Sequence, residues 1–338
     1  MKSDGLFSGL SEALTKKIKK QPQPAFIQPM LATLTEEYFS SDEWFYEHKY
    51  DGVRCLAFKK NGVVRLMSRN NKLMNEEYPE LVEALEKQKA DTFIIDGEIV
   101  ALNEKGISDF ELLQGRMNLL NPQAVASKKK QVPIAYWIFD CMYAEGYTLT
   151  QLPLYARKQL LKKLLVFTKV LLFSEHMSGN GIPLFKKACK LGWEGIMAKK
   201  ADSPYLSKRS RDWLKFKCSM GQELVIGGYT EPQGSRSHFG ALLVGYFDKK
   251  GIFYYAGKVG TGFSHETLEL LGKKLQRITL KKCPFSNYEG PLKNVYWVKP
   301  VLVAEFQFAQ WTASGKLRVG RYKGLREDKA AKDVIRES

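Results

Sequence analysis

The 338-residue sequence predicts an α+β fold with largely antiparallel sheets, followed by a second, all-β domain. Three observations carry this expectation. Between residues 25 and 219, short apolar runs alternate with amphipathic segments but lack the regular beat of strand–helix–strand units. From 220 to 338 the pattern turns to β structure, with runs at 222–230, 241–247, 252–260, 295–299 and 301–311. One helical pattern interrupts them at 264–278, carrying Leu268, Leu271 and Leu275, and five strands with a helix after the third is the plan of an OB-fold barrel. A hydrophobic fraction of 44% over this length is enough for two cores.

Residues 1–24 read as a leader helix and linker. Leu6, Leu10, Leu14 and Ile18 fall at near-helical spacing, and Gln21-Pro22-Gln23-Pro24 stops any helix. In the first domain, strands are expected at 44–50, 53–59, 63–68, 93–101, 134–142, 170–175, 194–199 and 213–218. Helices are expected at 77–89, 109–115, 155–165 and 182–190. The chain contains neither a G-x-x-x-x-G-K-[ST] loop nor a G-x-G-x-x-G turn, so a bound nucleotide would have to be held by side chains.

Lys plus Arg number 53 against 36 Asp plus Glu, a net charge of +17 with a pI near 9.4, which points to a polyanion such as nucleic acid. The five cysteines, Cys55, Cys141, Cys189, Cys218 and Cys283, are scattered without metal spacing and read as reduced core residues of a cytosolic protein. No apolar run is long enough to span a membrane, and the N-terminus lacks a signal-peptide core.

The residues that could carry chemistry begin with Glu47-His48-Lys49-Tyr50-Asp51-Gly52-Val53-Arg54. Strand alternation puts Glu47 and Lys49 on one face, with Tyr46 and His48 on the other. An ordinary lysine has a pKa of ~10.4, so roughly one in 2,500 is neutral at pH 7, and a nucleophilic role needs a pocket that changes this. In Phe93-Ile94-Ile95-Asp96-Gly97-Glu98-Ile99-Val100 two carboxylates share a face of an apolar strand. Glu98 suits a ribose hydroxyl or metal-bound water, and Asp96 could brace the site. Trp213-Leu214-Lys215-Phe216-Lys217 places two lysines side by side, a phosphate-binding arrangement with Leu214 and Phe216 behind it. Glu194 heads an apolar strand and suits a hard divalent cation. Tyr136-Trp137-Ile138-Phe139-Asp140 offers aromatic faces on both sides of a strand, one of which could stack on a purine, and Arg69 ends a strand where it could meet a phosphate. Lys199-Lys200 and Lys208-Arg209-Ser210-Arg211 suggest nearby DNA contacts, and Arg236 is a further candidate for DNA.

In order, Lys49-Tyr50-Asp51-Gly52-Val53-Arg54, Ser68-Arg69-Asn70, Ile95-Asp96-Gly97-Glu98, Phe139-Asp140, Glu194-Gly195-Ile196-Met197-Ala198-Lys199, Trp213-Leu214-Lys215-Phe216-Lys217 and Arg326-Glu327-Asp328-Lys329 resemble the motif series of the covalent nucleotidyltransferases. Within that superfamily the sequence is most similar to the ATP-dependent DNA ligases, in particular the ligase module of bacterial ligase D. The resemblance spans about residues 25–335. It implies an antiparallel-sheet nucleotidyltransferase (adenylation) domain at 25–219 and an OB-fold domain at 220–338 with a C-terminal pyrophosphate-orienting motif.

The resemblance further implies that Lys49 attacks the α-phosphorus of ATP to give a lysyl-AMP, with Glu47 at the adenine, Arg54 and Glu98 at the ribose, and Phe139 stacked on the base. Arg69 would meet a phosphate, Glu194 and Glu98 a divalent metal (Mg or Mn), Lys215 and Lys217 the α-phosphate, and Arg326 and Asp328 the leaving pyrophosphate. Nicked double-stranded DNA is the implied substrate, sealed during double-strand break repair by end joining. The implied setting is a monomer in the bacterial cytoplasm, associated with the nucleoid and with no membrane partner. The polymerase and nuclease modules of a full ligase D are not in these 338 residues, nor is a DNA-encircling N-terminal domain. Weak intrinsic grip and help from Ku or another end-joining protein are therefore expected. Two rival readings are an RNA ligase or capping-type enzyme, and a basic DNA-binding scaffold with an inactive nucleotide site.

Overall fold

The computed structural model describes residues 3–117, 119, 121–218, 220–232, 236–308, 310–312 and 314–337. The chain forms two compact units, Met1–Cys218 and Ser219–Ser338. In the first, the helices are α1 (Ser3–Leu6), α2 (Glu12–Thr15), α3 (Pro79–Glu86), α4 (Phe110–Gln114), α5 (Pro122–Gln131), α6 (Leu154–Leu164) and α7 (Gly181–Lys190). Its strands are β1 (Lys19–Lys20), β2 (Leu31–Leu34), β3 (Trp44–His48), β4 (Val53–Lys60), β5 (Val63–Ser68), β6 (Phe93–Ala101), β7 (Ile134–Ala144), β8 (Tyr147–Thr148), β9 (Leu171–Phe173), β10 (His176–Ser178), β11 (Gly195–Lys200) and β12 (Arg209–Lys217).

These strands make two sheets. The larger runs β1-β8-β7-β6-β4-β5 with β9 beside β7, and the smaller runs β10-β3-β11-β12-β2. Pairing is antiparallel except at β7–β9 and β12–β2. One face of the larger sheet packs Val53, Cys55 and Ala57 of β4 against helical residues such as Leu81, Leu85, Leu160 and Leu161. Its other face sends Leu56, Phe58, Ile94 and Phe139 onto Trp213 and Tyr205. The smaller sheet covers its outer face with α7, through Tyr46, Ile196, Ala198, Leu214, Phe216 and Ala188. The chain passes from one sheet to the other through residues 49–52. At that crossing Gly52 runs so close to the Ile99 carbonyl of β6 that no side chain would fit.

Three expectations are corrected here. The leader is not one helix but two short helical turns and the strand β1, which pairs with β8. Leu6 is fully buried in the domain core, with Leu10, Leu14 and Ile18 packed against it, so apolar contacts rather than helical periodicity decide the local structure. The cysteines are not all reduced: Cys189, at the end of α7, is disulfide-bonded to Cys218, just past β12, which the fold brings together although 29 residues separate them. Cys55 and Cys141 are buried and free, as expected of core residues.

The third correction lies in the second unit. It holds β13 (Met220–Thr230), β14 (Leu242–Phe247), β15 (Phe253–Val259), α8 (His265–Gln276), β16 (Thr279–Leu280), β17 (Val295–Phe308), β18 (Gln310–Trp311), β19 (Leu317–Arg318) and β20 (Arg321–Leu325). Its main sheet runs β15-β14-β13-β17-β16, with β20 on β17, and α8 sets Leu268, Leu271 and Leu275 into the core. The two strands expected at 295–299 and 301–311 are mostly one long strand, β17. It bends where the pairing with β13 slips between Ile226 and Gly228, so Pro300 falls in a stretch that skips ladder bonds. Residue 309 of the expected second strand lies outside the described residues.

Candidate active site

The site forms where the two sheets of the first unit meet. Lys49 follows β3 directly, and its backbone N–H donates to the Gly195 carbonyl (3.1 Å), which ties the crossing to β11. Gly195 itself adopts φ +152° hard against the Phe216 carbonyl, a conformation and a proximity that favour glycine. The register pairs Glu47 and Lys215 with Met197, and Lys217 with Gly195. Glu47, Met197, Lys215 and Lys217 therefore share the inner face of the smaller sheet.

Lys49 Nζ is ion-paired with Glu194, and Lys217 Nζ lies 3.8 Å from the same carboxylate. Burial alone would push Glu194 up, but Lys49 and then Lys217 outweigh it and hold this carboxylate below its ordinary value. A four-ring stack borders the lysine. Trp193 lies on His48 (3.8 Å), His48 on Tyr50 (4.3 Å) and Tyr50 on Trp137 (4.7 Å). His48 is pushed down to about 4, mainly by burial, so the ring beside Lys49 is neutral.

On the larger sheet, Arg54 grips Asp96 with two bonds of 2.5 Å, from Nε and Nη2. Tyr205 donates its hydroxyl to the same carboxylate at 2.7 Å. Burial works against the Arg54 charge, yet Asp96 more than restores it. Glu98 lies opposite Arg54 on one side and Trp137 on the other. Phe139 is the extra residue of a β-bulge, because β6 pairs Asp96 with Asp140 and then Gly97 with Ile138. The bulge turns the ring toward Arg54 (4.7 Å from its centre) and Lys199 (4.0 Å). Arg69 sits one residue beyond the Cys55–Ser68 pair, at the end of β5 and half-buried.

Glu47 is enclosed by groups that sequence reasoning missed. Lys158 of α6 and Lys199 of β11 each reach its carboxylate at 2.8 Å, and Ser174 adds its hydroxyl at 3.2 Å. Burial pushes Glu47 up, and Lys158 and Lys199 together bring it below its ordinary value. Lys199 is itself buried and pushed down to about 8, chiefly by burial, so it is not the DNA-facing residue that its place in a Lys-Lys pair suggested. Lys208, Arg209 and Arg211 are exposed, and Arg209 also donates to the Ala32 carbonyl at 2.5 Å.

In the second unit, Arg326 follows β20 and makes a bidentate pair with Asp328 at 2.9 and 3.0 Å. Glu305 lies 4.0 Å from it. Arg236 donates to the carbonyls of Gly240 and Gly260, both at 2.8 Å, and so fastens its own loop.

Among the described residues no three His, Cys, Asp or Glu groups converge as a metal cage. A hard cation that arrives with nucleotide phosphates needs only one or two protein carboxylates, and Glu194 is the carboxylate that could meet it once Lys49 and Lys217 turn from it to the phosphates.

A lysine, its carboxylate partner and a second lysine meet at the sheet crossing. The family model described as ATP dependent DNA ligase domain matches residues 29–217. The chain belongs to the ATP-dependent DNA ligase family. A second model, ATP dependent DNA ligase C terminal region, matches residues 235–329. The "Multifunctional non-homologous end joining protein LigD" of Pseudomonas aeruginosa is 38% identical over 94% of the chain, which spans 37% of that relative. The protein of the same description from Mycobacterium bovis is 36% identical over 92% of the chain and 40% of its own length. The "Probable DNA ligase" of Dictyoglomus thermophilum is 32% identical over 81% of the chain and 50% of its length. The chain thus spans half or less of these relatives. Among solved structures, a mycobacterial DNA ligase D complexed with ATP and MES matches at a TM-score of 0.65 and 33% identity, covering 92% of this chain and 98% of that one. The mixed unit and the barrel correspond to the adenylation and OB-fold domains of ATP-dependent ligases, and the sheets are mostly antiparallel.

Proposed function

We propose that this ligase seals nicks with 5′-phosphate and 3′-hydroxyl ends through a lysyl-AMP at Lys49. The meeting of Lys49, Glu194 and Lys217 at the sheet crossing carries this reading. Once Glu194 releases it and the ammonium has given a proton to solvent, the Lys49 amine attacks the α-phosphorus of ATP. A nitrogen–phosphorus bond forms, the bond to the bridging oxygen breaks, and pyrophosphate departs. Lys215 and Lys217 oppose the charge that spreads over the α-phosphate oxygens, and their fixed strand positions make that stabilisation pre-organised. Glu98 and Arg54 receive the ribose, Glu47 and Phe139 the adenine, and Arg69 a phosphate. Arg326 and Asp328 orient the pyrophosphate. The AMP then passes to the 5′-phosphate of the nick, and the 3′-hydroxyl displaces it.

Glu194 and Glu98 would hold a divalent cation, Mg or Mn, which supplies charge neutralisation to the phosphates when bound. Lys208, Arg209, Arg211 and Arg236 are assigned to DNA. The LigD relatives, described as non-homologous end joining proteins, support a role in double-strand break repair by end joining; Ku or another end-joining protein as loading partner, a monomeric state and a nucleoid setting belong to the same proposal. No helix among the described residues is long and apolar enough to cross a membrane.

The test is incubation with α-labelled ATP and a divalent metal, followed by denaturing electrophoresis. Label must attach covalently to the wild type and not to Lys49→Ala. Label on both, or on neither, overturns the mechanism. Side-by-side nicked DNA and nicked RNA substrates then fix the polymer.

A further inference from the structure

Two buried lysines stand outside the roles assigned so far. Lys158 is 2% exposed and Lys199 1%, and both point at a Glu47 that is itself 1% exposed. Lys158 Nζ donates to Glu47 Oε1 (2.8 Å), to the Ser174 carbonyl (2.8 Å) and to the Phe139 carbonyl (3.5 Å), which occupies its three protons. Lys199 Nζ donates to Glu47 Oε2 (2.8 Å) and rests over the Phe139 ring (4.0 Å) and the Trp213 ring (4.4 Å). Glu47 and Phe139 come from different sheets, yet each lysine touches both.

We propose that Lys158 and Lys199 are positioning residues that lock Glu47 and Phe139 into one base-reading unit, and thereby set a preference for a purine bearing a 6-amino group. This rests on the reading that Lys49 takes AMP from ATP with Glu47 and Phe139 at the base. An ionised carboxylate accepts at about four lone-pair sites and donates at none. Lys158, Lys199 and Ser174 fill three of them, leaving one acceptor position for a single N–H. The adenine amine supplies that N–H. A guanine presents an oxygen there and is repelled, and an unsubstituted purine leaves the position empty. Two ammonium groups keep the carboxylate charged, and anchorage to α6, β11 and the segment after β9 denies it other rotamers. A buried Lys–Glu–Lys set is weak evidence of stability in itself, because desolvation offsets much of the attraction. The rings under the two cations, including Phe173 at 4.6 Å from Lys158, soften that cost.

The experiment measures kcat/KM for covalent attachment of α-labelled ATP and of α-labelled purine riboside 5′-triphosphate to the full chain. The proteins are wild type, Lys158→Met, Lys199→Met, the two Lys→Arg variants and Glu47→Gln, each with its thermal transition recorded. The wild-type ratio is expected at about 10- to 100-fold in favour of ATP, the range for a hydrogen bond to a charged group. It should fall toward unity in both Met variants and in Glu47→Gln, and recover in the Arg variants. A Met variant that slows both nucleotides equally and keeps the wild-type ratio overturns the proposal, because a purely structural lysine would behave so. Should the Met variants not fold, Lys158→Gln and Lys199→Gln take their place and are read by the same ratio: a wild-type ratio in both refutes the proposal, and a ratio that falls toward unity upholds it. If the wild type takes no label from ATP, the ligase reading itself has failed and this inference falls with it.

Discussion

Asp140→Asn is the sharpest probe of what holds the site together. Asp140 and Arg157 are both completely buried, and the guanidinium donates Nε and Nη2 to the carboxylate at 2.8 and 2.9 Å. Its Nη1 reaches the carbonyls of Leu152 (2.6 Å) and Ser203 (2.9 Å). The pair joins β7, next to Phe139, to α6, next to Lys158. Asparagine keeps the volume and one acceptor but strands a full positive charge in the interior. Breaking a buried pair this way costs about 3–5 kcal/mol, and the retained acceptor puts Asp140→Asn at the lower end. Against a domain stability of roughly 5–15 kcal/mol this is a large share. With a urea m-value of about 2–3 kcal/mol/M the midpoint should drop by roughly 1–1.5 M. The assay is urea unfolding of the full chain by tryptophan fluorescence, following the transition of the unit that contains buried Trp213. A companion variant, Asp140→Leu with Arg157→Met, removes both charges and should recover most of the loss. A midpoint shift below about 0.3 M in the single variant, or a double variant no better than the single, would refute the reasoning.

Other expectations follow from the same geometry. His48 has its folded value pushed down to about 4 from 6.5, so the unfolded chain binds the proton first as pH falls. Its contribution is complete above pH 6.5 and is lost between 6.5 and 4, to a total of about 3 kcal/mol; His48→Phe should flatten that part of the pH–stability curve. Removing the Cys189–Cys218 bond by paired serine substitution should cost about 3.5 kcal/mol by loop entropy for its separation of 29 residues, and reductant should destabilise the wild type but not the double serine variant in urea titrations. Arg326→Ala should slow lysyl-AMP formation from ATP by at least about tenfold, as for loss of a positioned phosphate ligand, while leaving the sealing of pre-adenylated nicks much closer to wild type; equal slowing of both steps would remove its assignment to pyrophosphate.

Strand alternation made part of the site legible. The reading that Lys215 and Lys217 share a face with Leu214 and Phe216 behind them matches the register, because an antiparallel strand with one buried face leaves no freedom to slip. The same rule placed Glu47 opposite Tyr46. It does not reach Phe139, because a bulge adds one residue to β7 and no composition marks the spot. It also gave no hint of Lys158, whose helical neighbours look like an ordinary basic face. Only the packing of α6 on β7 shows that this lysine points inward. The disulfide was hidden for a similar reason, since the ends of α7 and β12 become neighbours only through the order β10-β3-β11-β12. The long bent β17 defeated a reading in which Pro300 separated two strands, because a slip in the ladder lets proline stay within one.

Why the nucleophile we propose sits at residue 49 follows from this topology. A lysine within either sheet would have its side chain fixed by neighbouring strands and its approach limited to one face. A lysine on a free loop would lack a fixed address. Residue 49 avoids both, because its backbone is still bonded to Gly195 of the smaller sheet while the next three residues carry the chain to the larger one. The crossing has to be tight, which is why Gly52 must pass against the Ile99 carbonyl and Gly195 against that of Phe216. Lys217 and Glu194 therefore reach Lys49 from one sheet, and Arg54, Glu98 and Phe139 line the other. A substitution that widened the crossing, such as Gly52→Ala, would press on the Ile99 carbonyl and on the Val100 and Glu98 side chains and so separate the two halves of the site. Its expected signature is a fall in the rate of covalent attachment larger than for any single nucleotide-facing substitution other than Lys49 itself. A Gly52→Ala protein that labels at the wild-type rate would show that the two sheets need not be held at this spacing.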